Sequence, residues 1–194
     1  LNPDIATHPE RADEIIHKLR AIILSVNNVG LVRANEEFSK WLRNEVTLPF
    51  GKNNQHVAVN LIDFENLSNN SFILSNQVRI RAREVKIPDI VLYVNGIPLV
   101  IGEVKTPVRP AVTWYDGAHD ISDVYENSIP QLFVSNVFSF ATEGKEIFIG
   151  GVRTPLEYWA PWRIEDEKDG LARFIGLQDV SKQLAHLLKP ATIL

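Results

Sequence analysis

Residues 88–105 read Pro88-Asp89-Ile90-Val91-Leu92-Tyr93-Val94-Asn95-Gly96-Ile97-Pro98-Leu99-Val100-Ile101-Gly102-Glu103-Val104-Lys105. Two apolar runs meet at the Asn-Gly pair, a dipeptide that favours the tight turn of a β-hairpin. Charges stand only at the ends of the stretch, so the pattern predicts two paired strands that are buried along their length. Such a hairpin brings Asp89 near Glu103 and Lys105 at its open end.

The geometry of the turn determines whether these three side chains meet. A simple two-residue turn sets Asp89 opposite Gly102 and puts Asp89 and Glu103 on opposite faces of the sheet. A three-residue loop, or an equivalent β-bulge, places Asp89, Glu103 and Lys105 on one face. A functional site at this end of the hairpin therefore requires the loop or the bulge.

The residue types at the open end suit hydrolysis of a phosphodiester. Asp89 and Glu103, with the backbone carbonyl of Val104 as a third oxygen, form an expected site for Mg²⁺, with Mn²⁺ as an alternative ion. Lys105 would orient or help deprotonate an attacking water and offset charge on the phosphorus. An Asp with a distant Glu-x-Lys is common by chance, so plain charged strand ends remain the alternative interpretation.

The composition is that of an ordinary globular domain. The chain has 194 residues, 45% hydrophobic and 23% charged, and it contains neither cysteine nor methionine. The lack of cysteine excludes disulfides, thiolate zinc sites and cysteine nucleophiles, and it fits the cytoplasm as compartment. No apolar run approaches the roughly 20 residues that span a bilayer, so no membrane partner is expected. The absence of an initiator methionine indicates a piece of a longer product.

Charge restricts the kind of nucleic-acid binding that is expected. A formal net charge of -4 argues against attraction of nucleic acid by the whole surface. Arg79, Arg81 and Arg83 alternate with apolar residues and would share one face of a strand, either as a solvated face or as a phosphate-contacting stripe. Lys86 and Arg109, on either side of the hairpin, are further candidates for contact with DNA.

Periodicity predicts a mixed α/β fold. Helices are expected over about residues 9–26, 35–46 and 115–126, with a last helical region over about 177–188. Strands are expected over about residues 56–64, 71–83, 137–141 and 147–152, besides the hairpin. The order implies an α/β domain with a mixed central β-sheet flanked by helices.

Several segments together resemble a known family. They are Leu61-Ile62-Asp63-Phe64-Glu65-Asn66, Asn70-Ser71-Phe72, the hairpin itself, Ile129-Pro130-Gln131-Leu132-Phe133-Val134-Ser135-Asn136, and Trp159-Ala160-Pro161-Trp162-Arg163. In order and spacing they resemble the N-terminal nuclease domain of the restriction (R) subunit of type I restriction-modification enzymes, within the PD-(D/E)xK nuclease superfamily. The resemblance covers about residues 35–163.

The resemblance implies a function and an architecture. It implies a PD-(D/E)xK, restriction-endonuclease-like core that acts as a Mg²⁺-dependent endonuclease on double-stranded DNA. It also implies an ATP-driven translocating motor in the full-length subunit, together with methylation and specificity subunits. This chain has no Gly-x-x-x-x-Gly-Lys-Ser/Thr loop, so ATP is expected only in the full-length subunit. Residues 1–170 would form the nuclease domain and residues 171–194 a helical connection to the motor.

The chain departs from the family pattern beside the site. Where related nucleases often have Arg-Pro-Asp, Ile87 precedes Pro88, and Lys86 or Arg83 would have to supply the charge. A Gln-x-x-x-Tyr pair is expected on the following helix, yet Ile121 stands at the glutamine position before Tyr125. Tyr125 would contact the nucleic-acid backbone or orient Lys105, or else serve as a core aromatic.

Three further side chains are weaker candidates. His119 or Asp120 could replace the missing glutamine. Glu37, on the first core helix, is a candidate further metal ligand, with a surface glutamate as the alternative. Two other functions also remain open: a non-catalytic DNA-binding or assembly module that kept the nuclease fold, and a stand-alone structure-selective nuclease.

Overall fold

The computed structural model describes residues 2–108, 111–163 and 180–194. Its α-helices are α1 (Pro3–Ala6), α2 (Pro9–Val29), α3 (Leu31–Leu42), α4 (Trp114–His119), α5 (Glu126–Ser128), α6 (Val180–Leu187) and α7 (Pro190–Ile193). Its strands are β1 (Thr47–Leu48), β2 (Val57–Ala58), β3 (Phe72–Asn76), β4 (Ile80–Arg81), β5 (Val85–Lys86), β6 (Ile90–Val94), β7 (Ile97–Val104), β8 (Phe138–Thr142), β9 (Ile147–Gly150) and β10 (Ala160–Pro161).

Six strands form the central sheet, in the order β10-β9-β8-β7-β6-β3. β7 and β8 run parallel, and the other neighbours are antiparallel. The parallel pair is joined by the helical segment that follows β7, as a parallel connection requires. The predicted mixed α/β fold, with helices around a mixed sheet, is confirmed.

β7 forms the middle of the core because it has neighbours on both sides and packing on both faces. Leu99, Val100 and Ile101 are fully buried and belong to the same core as α3 and α4. Gly102 leaves room for an aromatic ring: a Cβ built on it would stand 2.2 Å from Cζ of Phe140. These apolar contacts fix the strand that carries Glu103 at its end.

The tip of the main hairpin is a turn whose two central residues both have positive φ. Asn95 has φ 51° and Gly96 has φ 80°, the pattern that Asn-Gly turns favour. The side chain of Asn95 donates to the carbonyl of Leu61 at 2.8 Å and accepts the N–H of Ser71 at 2.8 Å. It also donates to the side-chain oxygen of Asn70, which accepts the N–H of Asp63, while the Asn70 amide donates to the carbonyl of Asp63. The loop before β3 is thereby tied to the hairpin tip.

Two predicted strands are much shorter than the sequence suggests. The strand expected over residues 56–64 exists only as β2, because side chains rather than another strand take backbone N–H groups in this region. Asn2 accepts the N–H of Asn60, and Asp63 accepts those of Glu65 and Asn66. Residues 60–71 therefore form a loop with its own hydrogen bonds.

The strand expected over residues 71–83 is also wrong in its second half. β3 ends at Asn76, and Gln77 takes φ 48°. The N–H groups of Gln77 and Val78 then donate to the carbonyls of Asp89 and Pro88. These bonds turn the chain into a separate small hairpin, β4–β5, which lies beside the start of β6.

The helical segment after β7 begins with a capping box made by Thr113 and Asp116. It continues from α4 through a π-helical stretch, Asp120–Tyr125, into α5. Near the C-terminus, Leu187 of α6 and Ile193 of α7 join the main core. The division into residues 1–170 and 171–194 stays a prediction. Among the described residues, none of the helices has the length and apolar content needed to cross a membrane.

Candidate active site

The main hairpin contains the bulge that a shared site requires. At its tip Val94 pairs with Ile97, as in a two-residue turn, but Leu92 pairs with Val100, so Leu99 is an extra residue on β7. From there on Ile90 pairs with Gly102, which sets Asp89 across from Glu103. The prediction that a loop or an equivalent bulge brings these two residues to one face is confirmed in its bulge form.

The two carboxylates are held differently. Asp89 Oδ2 accepts the backbone N–H of Val104 at 2.9 Å, which anchors the start of β6 to the end of β7. Glu103 is only 5% exposed, and burial raises the pKa of its carboxyl group against the opposing effect of Lys105. Its Oε2 atom is buried, and none of the described residues forms a hydrogen bond with it. A buried carboxylate oxygen without a partner is costly, so this atom is suited to a cation.

Lys105 lies between two carboxylates. Its Nζ is 2.9 Å from Glu103 Oε1 and also contacts Asp120 Oδ2. Burial lowers the pKa of Lys105, but the hydrogen bonds that its ammonium group donates to Asp120 and Glu103 outweigh this effect, and the pKa lies above its ordinary value. The lysine is therefore a fixed cation at the edge of the site.

The π-helical stretch explains which side chains of this segment reach the site. Asp120 contacts Lys105, whereas Ile121 is fully buried in the core and His119 pairs with Asp123 at 3.1 Å. Of the two replacements considered for the missing glutamine, Asp120 is the one that touches the candidate machinery. A π-helical turn shifts the phase of a helix and is frequent at functional sites.

Tyr125 lies at the border between the core and the site. It is 9% exposed, and its hydroxyl is 3.4 Å from the carbonyl of Ile87, two residues before Asp89. Burial and the negative charges of Glu103 and Asp120 raise the pKa of the phenol. The tyrosine thus packs as a core aromatic, and its hydroxyl contacts the backbone just before β6.

The donor set fits a hard divalent cation that keeps most of its water. Asp89 and Glu103 offer carboxylate oxygens, and the end of β7 carries the carbonyl of Val104, the third predicted ligand. The described part of the chain holds no cluster of three or more His, Cys, Asp or Glu arranged to hold a metal. Mg²⁺ in proteins is usually bound by one or two carboxylates and several waters rather than by a cage made of protein ligands alone. Glu37 forms an exposed ion pair with Lys40 at 2.7 Å, and its role as a further metal ligand stays a prediction.

The basic candidates lie on the small hairpin rather than on one long strand. Arg79, Arg81 and Arg83 are exposed before, on and after β4. Lys86 of β5 pairs with Glu84 at 3.1 Å. Arg109 falls outside the described residues. Because β4–β5 leaves the sheet immediately before Asp89, its arginines extend from the same end of the sheet as the carboxylates.

Sequence reasoning missed two features of the site. It predicts Asp120 only as one of two replacements for the missing glutamine and not as a partner of Lys105, since the π-helical phase is not visible in the periodicity. It did not locate the bulge, although Pro98 was a usable signal. A proline within a central strand cannot donate to the ladder and is expected at a bulge or an edge.

The fold and the site together define a class of protein. A mixed six-stranded sheet with Asp89 at the start of one strand and Glu103 and Lys105 at the end of its neighbour is compatible with a restriction-endonuclease-like fold of the PD-(D/E)xK type. Residues 1–158 match the family described as "Type I restriction enzyme R protein N terminus". The chain belongs to this family.

Curated relatives agree with that assignment. The whole chain aligns at 32% identity with the type I restriction enzyme HindI endonuclease subunit of Haemophilus influenzae. It also aligns over 84% of its length, at 27% identity, with the putative type I restriction enzyme MjaIXP endonuclease subunit of Methanocaldococcus jannaschii. The aligned regions cover 18% and 16% of those two proteins, so the chain corresponds to a small part of each.

Proposed function

We propose that this domain is the Mg²⁺-dependent endonuclease of a type I restriction enzyme R subunit and cuts double-stranded DNA. Its active site would consist of Asp89, Glu103 and Lys105. The observation that carries the proposal is the bulge at Leu99, which sets Asp89 across from Glu103. An unbulged hairpin with the same turn would separate the two carboxylates. The register of the hairpin therefore decides whether Asp89 and Glu103 can bind one metal ion, besides deciding how the strands pack.

The side chains have distinct tasks in the proposed reaction. Asp89, Glu103 and the carbonyl of Val104 would hold Mg²⁺, with Mn²⁺ as a substitute. The ion would polarise the phosphodiester and lower the pKa of a bound water. Lys105, fixed by Glu103 and Asp120, would orient the attacking water and offset the negative charge that develops on the phosphate.

DNA contact is proposed for the arginines of the small hairpin. Arg79, Arg81 and Arg83, with Lys86, extend from the end of the sheet that carries the carboxylates, and Arg109 is a further candidate. With a net charge of -4 for the chain, we expect these local contacts to position DNA rather than to capture it. Delivery of DNA would fall to an ATP-driven motor in the full-length subunit and to methylation and specificity subunits. We expect the complex to act in the cytoplasm.

The decisive experiment is cleavage by the full-length subunit assembled with its partner subunits, supplied with ATP and Mg²⁺. Asp89→Ala and Lys105→Ala should each abolish cleavage while ATP hydrolysis continues, because neither change touches a motor. Lys18→Ala is the matched control, since Lys18 forms an exposed pair with Glu14 on the surface of α2. It should cut as the unchanged subunit does.

The alternatives give different outcomes in the same assay. If cleavage survives Asp89→Ala or Lys105→Ala, the domain is a non-catalytic module and the proposal fails. If the isolated domain cuts DNA without ATP and without partner subunits, the stand-alone nuclease is correct instead. Loss of cleavage together with loss of ATP hydrolysis in both variants would also refute the assignment of these residues to the nuclease step.

A further inference from the structure

The extra residue of the main hairpin leaves backbone groups that β6 cannot satisfy. Between the pairs Tyr93–Pro98 and Leu92–Val100, Leu99 has no partner on β6. The whole residue, backbone included, is fully buried, so its carbonyl lies in the interior. A buried carbonyl needs a partner, and a bulge persists only where something else in the fold supplies one.

The segment before β8 supplies these partners. The carbonyl of Leu99 accepts the side-chain amide of Asn136 at 3.2 Å and the backbone N–H of Val137 at 2.8 Å. The carbonyl of Pro98 accepts the hydroxyl of Ser135 at 2.6 Å. The side chains of Ser135 and Asn136 thus bind the carbonyls of the two residues at the bulge, on the edge of β7 that faces away from β6.

Asn136 is itself immobilised. It is 3% exposed, and its amide also donates to the carbonyl of Phe138 at 2.8 Å. Its backbone carbonyl accepts the side chain of Asn35, on α3, at 2.9 Å. The amide therefore has a fixed position from which to hold the carbonyl of Leu99.

We propose that Asn136 is a positioning residue of the active site: it holds the bulge at Leu99 and so keeps Asp89 across from Glu103. This inference rests on the proposed function only for its catalytic consequence, since the register can be measured without any metal. Without the amide, the carbonyl of Leu99 loses one of its two donors. The unbulged register, with Asp89 opposite Gly102, then becomes accessible, and it separates the two carboxylates.

Two measurements on Asn136→Ala and Asn136→Asp test the proposal. Backbone NOEs between Ile90 and Gly102 report the bulged register, and NOEs between Ile90 and Ile101 report the unbulged one. Mn²⁺ affinity, measured by electron paramagnetic resonance, reports the site. Both variants should weaken the Ile90–Gly102 NOEs and lower Mn²⁺ affinity about tenfold or more, the effect typical of a lost supporting hydrogen bond. The Asp variant keeps the shape but sets a carboxylate, an acceptor with a charge, against the carbonyls of Leu99 and Phe138. It should therefore have the larger effect of the two if hydrogen bonding, and not packing, holds the bulge.

Asn70→Ala is the matched control. Asn70 is also a buried asparagine that bonds backbone carbonyls, but at the tip of the hairpin, away from the bulge. It should lose stability while the Ile90–Gly102 NOEs and Mn²⁺ affinity stay unchanged. If Asn136→Ala does not fold, Ser135→Ala removes only the bond to Pro98 and should lower Mn²⁺ affinity a few-fold.

The outcomes separate the two proposals. Unchanged NOEs and unchanged Mn²⁺ affinity in the foldable variants would overturn the role of Asn136. A wild-type domain that binds no Mn²⁺ would refute the proposed function, whereas the NOEs would still decide what holds the bulge. An equal loss of Mn²⁺ affinity in Asn70→Ala would show that any loss of stability has this effect, and it would also overturn the inference.

Discussion

Replacing Lys105 by methionine should destabilise the domain far more than a surface lysine substitution, because it leaves Glu103 as an unpaired buried charge. The Glu103 side chain is 6% exposed and that of Lys105 is 21% exposed. Removing one partner of a buried ion pair costs about 3–5 kcal/mol, and the partial exposure of Lys105 favours the lower end, about 3 kcal/mol. Methionine keeps the length of the side chain, so little packing is lost.

A matched pair on α3 provides the reference. Lys40 and Glu37 are joined at 2.7 Å, but each side chain is half exposed. Exposed pairs contribute about 0–1 kcal/mol, so Lys40→Met should lower the free energy of unfolding by no more than that. The two substitutions make the same chemical change, but Lys105 is more buried than Lys40 and also contacts a second carboxylate, Asp120.

The double variant Glu103→Met with Lys105→Met completes the test. With both charges gone, this site holds no unpaired buried carboxylate, because Asp120 is 37% exposed and stays hydrated, and stability should return to within about 1 kcal/mol of wild type. Urea denaturation in EDTA, followed by tryptophan fluorescence near neutral pH, measures all four proteins. If Lys105→Met is as mild as Lys40→Met, or if the double variant is no better than Lys105→Met alone, the reasoning about a buried charge at Glu103 is refuted.

Three further predictions concern the core, the pH dependence of stability and the turn. Gly102→Ala should lower the free energy of unfolding by about 1–3 kcal/mol in thermal denaturation, because the added Cβ would stand 2.2 Å from Cζ of Phe140. Adding Phe140→Leu should restore part of this loss, and an unchanged Tm in Gly102→Ala would contradict the described packing. Burial raises the pKa of Glu126 to about 7, so the folded state holds this proton more tightly than the unfolded state, and stability present below the ordinary pKa near 4.5 is lost as pH rises toward 7. Urea midpoints of Glu126→Gln should vary less across this window, and a wild-type pH profile in the variant would disprove the assignment. Asn95→Ala should lose about 2 kcal/mol or more in urea denaturation, from strain at φ 51° and from its lost hydrogen bonds, and Asn95→Gly should lose less because glycine removes the strain; equal losses would exclude strain as a contributor.

The sequence was sufficient where the pattern is long and consistent. The apolar runs on either side of Asn95-Gly96 predicted the hairpin, and the charges at its ends predicted which residues meet. The need for a bulge also followed from counting residues between Asp89 and Glu103. These inferences succeeded because period-two alternation and turn geometry are local properties.

The remaining features depend on interactions between distant parts of the chain. The stretch after Asn76 looks like a continued strand, but the left-handed conformation of Gln77 and its bond to the carbonyl of Asp89 end it. The contact of Asp120 with Lys105 depends on a π-helical turn that an α-helical period cannot reveal. Neither feature has a signature within a window of a few residues.

The segments that resemble the restriction-subunit family contain polar side chains outside the metal motif, and the structure gives these side chains a role. Asp89, Glu103 and Lys105 alone form a pattern that arises often by chance. Asn70 and Asn95 fix the tip of the hairpin, and Asn136 holds its bulge. Because one residue of slippage would move Glu103 to the opposite face of the sheet, the Asn136 amide that holds the bulge is as necessary to the site as the charged groups, whereas Asn70 stabilises only the tip. A chain that carries the three charged residues without groups able to hold such a bulge should therefore fold its hairpin without assembling the site.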